Sequence, residues 1–209
     1  MSAAVVSLEG LLGTHRVWKG RNTQVDVAEA PAQPTGHAEL DQALPSGGWP
    51  AGALSEILIP FTGCGELQLL WPTLARLTQA AERVVLVAPP FIPNPQAWLA
   101  AGVDLGWMTL VRAQGKEALW AAEQCLRSGS CAAVLCWAGQ ADDRALRRLQ
   151  VAAEAGQALG FIVRGNQAAA NPSPAALRLA ISLEPAGWNI LKCRGGLPPA
   201  RPIPWMANA

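Results

Sequence analysis

The sequence contains no tyrosine, three phenylalanines and two histidines, His15 and His37. Imidazole this scarce, beside five cysteines of which no two have CxxC spacing, argues against a zinc site. The odd number of cysteines excludes a fully paired disulfide framework. Cys64, Cys125, Cys131, Cys136 and Cys193 are expected to be reduced and mostly buried, as in a cytoplasmic protein. Neither sign of charge dominates: 16 basic residues face 15 acidic ones, for a net charge of +1. That balance removes any general drive toward nucleic acid or an anionic membrane and leaves room only for a local basic patch. Long apolar runs are missing too. A stretch such as Val84–Ala88 is far too short to span a bilayer, and the N-terminus lacks the continuous apolar core of a signal peptide.

What is there is an apolar half, 51% of 209 residues, sufficient for one sizeable domain with a short appendage. Residues 1–34 form the appendage. A two- to three-turn helix is expected, with Leu8, Leu11, Leu12 and Val17 on one stripe beside Trp18, followed by an Ala/Pro/Gly-rich extended linker. These five residues are candidates for docking on a partner, either another copy or another protein, with packing on the chain's own core as the alternative. Residues 35–195 form the core and 196–209 a Pro-rich tail.

The core alternates. Apolar runs at 53–60, 84–88, 108–112, 132–137 and 161–164 read as strands, with helices predicted over Glu66–Ala81, Pro95–Ala101, Lys116–Arg127 and Asp142–Leu159. Pro72 should bend or restrict the first of these helices, and Gly129 should cap the third. Strands separated by helices imply an α/β fold with a mostly parallel sheet flanked by helices. Leu177–Leu183 and Trp188–Cys193 flank Pro185-Ala-Gly and predict an antiparallel hairpin at one edge.

The turn after the first strand, I57-LIPFTGCGELQLL, has the strand–glycine turn–helix context in which backbone N–H groups cradle phosphate. Against GxxxxGK[ST], with Gly65 as the second glycine and Gly63 inside the turn, Pro60 replaces the first glycine. Glu66 replaces the lysine and Leu67 the hydroxyl residue. A carboxylate at about 4 Å from a phosphate charge costs roughly 4 kcal/mol per pair at an effective dielectric of about 20, and Leu67 cannot hold Mg²⁺. An ordinary turn before an amphipathic helix explains the segment equally well.

The residues before it, L40-DQAL-P45, G47-GWPAG and E56-I57, resemble the RecA family in order and spacing, which implies a RecA-like core over roughly 35–200. No glutamate follows the strand VVLVA-P89-P90, and no aspartate ends A132-AVLCW, so the resemblance also implies a non-catalytic domain with no cofactor. Asp142 and Asp143 read more simply as a helix N-terminus. The two stretches corresponding to RecA's DNA loops, Gly139–Asp143 and Gly165–Ala175, lack basic and aromatic grip. Arg144, Arg147 and Arg148 on one helix are weak nucleic-acid candidates, a solvated face being the default.

A RecA-like segment with a vanished phosphate loop is similar to two bacterial families linked to the DNA-damage (SOS) response. One is SulA, the division inhibitor that binds FtsZ. The other is ImuA, the mutagenesis protein associated with the polymerase-like ImuB. V17-WKGR, T35-G…LDQALPSGGWPAGAL, the chain length and W188-NILKCRGGLPPARP favour ImuA. That resemblance implies an adaptor in translesion synthesis with ImuB, and RecA second, as partners. The SulA alternative implies a division inhibitor acting on FtsZ. Either way binding falls to protein surfaces. Trp188, Arg194, Arg201 and Trp205, near the hairpin and a tail hard to bury in its own domain, are expected as partner anchors.

Overall fold

Every residue of Leu54–Ile59 is buried, Ser55 and Glu56 included. That is the pattern of a central strand covered on both faces rather than of a half-exposed one. Around this strand, β1, a computed structural model describing residues 33–205 places a seven-stranded sheet. The elements in chain order are α1 (Ala38–Ala43), β1, α2 (Glu66–Gln79), β2 (Val84–Val87), α3 (Pro95–Ala100), β3 (Met108–Val111), α4 (Gly115–Arg127), β4 (Ala133–Trp137), α5 (Asp143–Gly156), β5 (Leu159–Gly165), β6 (Leu177–Leu183) and β7 (Ala186–Cys193). The strand order is β3-β2-β4-β5-β1-β6-β7. All neighbours are parallel except β6 and β7, which form the expected antiparallel hairpin at one edge.

Alternate side chains of β1, β2, β4 and β5 feed two cores, and β6 adds to one of them. Ile57, Leu86, Leu135, Phe161 and Leu179 join Leu40 of α1, Leu70 and Leu74 of α2 and Trp98 of α3 on one face. Leu54, Val85, Val134 and Ile162 join Ala118 and Leu126 of α4 and Leu146 and Leu149 of α5 on the other. The period of two thus sorts these four strands between helical layers on both faces. Full burial of each Leu, Ile, Val or Phe here contributes about 1.5–3 kcal/mol.

Two close approaches hold the helical layers. Pro72 is accommodated within the continuous helix α2, and its ring sits against Gly36, whose φ is +87°; a Cβ at Gly36 would collide with Pro72. Where α4 and α5 pack, a Cβ at Gly156 would strike the carbonyl oxygen of Leu126.

Several boundaries move for physical reasons. Helix α5 stops at Gly156 because Gln157 turns left-handed (φ +53°), and β5 begins at Leu159 rather than Phe161. Gly129, φ +68°, follows the end of α4 as expected of a terminating glycine. The larger correction is the tail. Instead of lying free, it returns to the sheet: Trp188 and Ile203 exchange backbone hydrogen bonds of 2.7 and 2.9 Å, and Ile203 is buried.

Candidate functional site

The loop after β1 has the form that the sequence suggested, and one of its own side chains occupies it. Gly63 and Gly65 take φ of +85° and +113°, the left-handed region that glycine adopts without a steric penalty. Gly65 is the N-cap of α2, so the first residue of the helix is Glu66. Its carboxylate turns back and accepts the Gly63 N–H at 2.9 and 3.1 Å to its two oxygens. Glu66 is buried, while Pro60, Phe61, Thr62 and Gly63 are exposed. A carboxylate at a helix N-terminus is favoured by the backbone donors and the dipole. Here that position is filled from within the chain. Leu67 packs against the apolar core and presents no oxygen. Burial, then the Glu66 charge, pushes the neighbouring Cys64 thiol above its ordinary pKa.

Ten residues earlier, Glu56 is fully buried and lies across the strand pair from Arg178 of β6. Arg178 Nε donates to one carboxylate oxygen at 2.6 Å, and Arg164 of β5 donates to the other at 2.6 Å. Both arginines also reach loops at the same end of the sheet. Arg164 donates to the Ala141 carbonyl at 2.7 Å, ahead of α5. Arg178 donates to the carbonyls of Ala168 (2.8 Å) and Asn171 (3.0 Å), around the short 3-10 turn Asn166–Ala170. Sequence reasoning read Glu56 only as part of a motif and missed the two arginines. The signal was available: one charge inside each of three otherwise apolar strands, LSEILI, LGFIVRG and LRLAISL.

The partner anchors expected near the hairpin do not come together as an exposed surface. Trp188 is buried, its ring 4.6 Å from His37 and 6.2 Å from the half-buried Trp205. It is a core residue because the returning tail covers it, and that displaces it as a partner contact. Arg194 and Arg201 are exposed, Arg194 within 3.5 Å of Glu154. Leu8, Leu11, Leu12, Val17 and Trp18 lie outside the described residues. Asp142 caps α5 by accepting the Ala145 N–H at 2.7 Å. Arg147 pairs with Asp143 at 2.8 Å and Arg148 with Glu123, leaving Arg144 without an ion pair among the described residues.

An exposed apolar surface lies elsewhere, on the loops that follow β2, β3 and β4. Phe91 and Ile92 are 73% and 77% exposed, and with Pro89, Pro90 and Trp137 they line an open groove of about 800 Å³. Two further hollows adjoin it, one sharing Gly115 and Trp137 as walls and the next lined by Trp120 of α4, which is 60% exposed, with Arg144 and Arg148 of α5.

The family description "Cell division inhibitor SulA" matches residues 52–160, from just before β1 into β5. The chain belongs to the SulA family. A curated relative, "Cell division inhibitor SulA" of Edwardsiella piscicida, is 34% identical over 111 residues. That alignment takes in 51% of this chain and 66% of the relative. The crystal structure of SulA from Pseudomonas aeruginosa is 31% identical, with a TM-score of 0.46, and aligns over 55% of this chain and 98% of that one. The matched segment includes Glu56, the Gly63–Glu66 loop, the apolar groove and Arg144, Arg147 and Arg148. Arg164, Arg178 and the hairpin with its tail lie beyond it. No helix among the described residues is long and apolar enough to cross a membrane.

Proposed function

We propose that this chain is a SulA-type inhibitor of cell division that acts by binding FtsZ, in the cytoplasm and without catalysis. The family match across residues 52–160 carries the reading. The internal occupation of the Gly63–Gly65 turn by Glu66 supports the non-catalytic part, because a triphosphate would have to displace a buried carboxylate from the N–H group it needs. Overproduction in a bacterial host should then produce filamentous cells, and purified protein should block FtsZ assembly. Normal cell length together with undisturbed FtsZ polymers would overturn the proposal. Mg-ATP should be neither bound at micromolar concentration nor hydrolysed. Lys at 66 with Thr at 67 should not restore hydrolysis, because the other acidic positions of such a site stay empty.

A second reading, an ImuA-type adaptor on a RecA-like core, rests on what lies outside the matched segment. Residues 33–51 and 161–205 are integral to the fold: β6 pairs with β1, β7 completes the sheet, and Leu40, Leu44 and Trp49 enter the core. In that case the partner is ImuB, with RecA second. Loss of the protein would then abolish damage-induced mutagenesis without lengthening cells.

A further inference from the structure

We infer that Cys125 and Cys131 are an oxidation site, a thiol pair that closes to a disulfide when the protein meets a peroxide. This is independent of which partner the chain binds. Cys125 is in the last turn of α4, Cys131 lies just ahead of β4, and both pack on the apolar cluster beneath α4 and α5. The Ser128 hydroxyl stands between them. It donates to the Cys125 carbonyl at 2.8 Å and lies 3.8 Å from the Cys131 sulfur, which is also 3.9 Å from the Ser130 hydroxyl. The two thiols act on each other. Burial, then the charge of Cys131 and a hydrogen bond with it, pushes the Cys125 thiol up from its ordinary pKa. Cys64 and Cys136 respond to no second thiol, and Cys193 lies on the edge strand β7.

The backbone anchors both sides of the pair and leaves the turn between them free to adjust. The Ser128 N–H closes α4 on the Gln124 carbonyl at 3.1 Å, and the Ala132 N–H ties the other side to the Arg83 carbonyl at 2.9 Å. Arg127 to Ser130 are exposed, and a Cβ at Gly129 would meet nothing within 4 Å. A small oxidant reaches both sulfurs. Cys125 is half-buried, and Cys131 lines an open hollow of about 490 Å³ beside the starts of β2, β4 and β5. The more exposed Cys125 reacts first. Its thiolate sulfur attacks one peroxide oxygen and the O–O bond breaks. The sulfur gains a hydroxyl, and the second oxygen leaves as water with the proton shed by the thiol. The Cys131 sulfur then attacks the Cys125 sulfur. The S–S bond forms, and the hydroxyl leaves as water with the Cys131 proton. Two thiols are oxidised by two electrons, and one peroxide is reduced to two waters.

The full chain is treated with hydrogen peroxide, quenched with catalase, unfolded in excess iodoacetamide and digested with trypsin. Cleavage after Lys116, Arg127 and Arg144 puts Cys125 and Cys131 on separate peptides, 117–127 and 128–144. The expected product is these two peptides joined, lighter than the separate pair by two hydrogens and parted by dithiothreitol. Cys64, Cys136 and Cys193 should carry the alkyl group. Cys136 shares the second peptide, so the joined product should persist in Cys136→Ser and vanish in Cys131→Ser, where Cys125 goes on to the sulfinic acid. Fragment ions of the joined peptides from the parent chain place the bridge independently of either variant. Peptides that stay separate and alkylated, or Cys125 over-oxidised without a bridge in the parent chain, would overturn the pair. So would a bridge to another cysteine, a bridge between two chains, or one that forms only after unfolding.

Discussion

Glu56 and Glu66 begin as equals: both are buried carboxylates, one in β1 and one in the first turn of the helix that follows. Their surroundings divide them. Glu56 is met by two buried guanidiniums, each of which also holds carbonyls of a neighbouring loop. Glu66 is met by one backbone N–H of an exposed glycine. The first arrangement is a strut: it fixes three adjacent strands and two loops at one end of the sheet. The second is a stopper in a loop whose geometry would otherwise favour an outside anion. A buried charge in this chain is therefore spent on architecture in both places.

The contrast is broken most severely at the strut. Glu56→Ala leaves Arg164 and Arg178 buried without their counter-charge, and removing one member of such a set destabilises by about 3–5 kcal/mol. For a chain of this length that corresponds to a fall in melting temperature of roughly 6–20 °C. Replacing Glu56, Arg164 and Arg178 together with apolar residues of similar volume should recover most of the loss, since buried ion sets are often no more stable than apolar packing. A triple variant as unstable as the single one would mean that the arginine–loop hydrogen bonds, rather than the ion pairs, matter most.

Shortening the chain after Arg194 should come next. The tail buries Ile203, worth about 1.5–3 kcal/mol, and its removal uncovers Trp188. Thermal denaturation should show a clear fall, with the far-ultraviolet signature of the sheet retained. An unchanged melting temperature would show that Ile203 and Trp205 contribute nothing to the core.

At the stopper the effect is smaller. Glu66→Ala leaves the Gly63 N–H without its acceptor, but that glycine is exposed and water can replace it. A loss of about 1 kcal/mol is expected, at the low end for an unsatisfied donor. Glu66→Gln, which keeps an acceptor oxygen, should lose less. A loss at Glu66 equal to that at Glu56 would erase the distinction between strut and stopper.

How much of this was legible beforehand follows the same division. The alternation of strands and helices, the hairpin and the glycine turn could be read directly, because each depends on local periodicity or on local turn chemistry. The Glu56–Arg164–Arg178 set could not be assembled the same way. Glu56 lies 108 and 122 residues before its two arginines, and only the strand order β5-β1-β6 brings the three together. The tail was misjudged for a related reason. Its prolines forbid a sheet interior, yet Ile203 needs only an isolated bridge at Trp188, which proline-rich flanks permit. The exposure of Phe91, Ile92 and Trp120 was not read from the sequence, because an apolar side chain carries no local signal of which way the fold turns it.

The mildest test concerns two thiols, one inside a buried strand and one in the loop after β1. Cys136 sits in β4, and burial pushes its pKa up to about 12. Cys64 sits in the stopper loop, half-buried, its pKa raised by burial and by the Glu66 charge. The thiolate is the reacting form, so a raised pKa lowers the reactive fraction at any pH below it. In the native protein at pH 8, iodoacetamide should leave Cys136 unmodified and label Cys64 slowly. Glu66→Gln removes the charge that helps hold the Cys64 proton, so labelling of Cys64 should accelerate while that of Cys136 stays at zero. Peptide mass mapping after timed quenching separates the two sites. An unchanged Cys64 rate in Glu66→Gln would show that the carboxylate does not act on that thiol, and labelling of Cys136 at the same rate as Cys64 would show that β4 opens as readily as the loop.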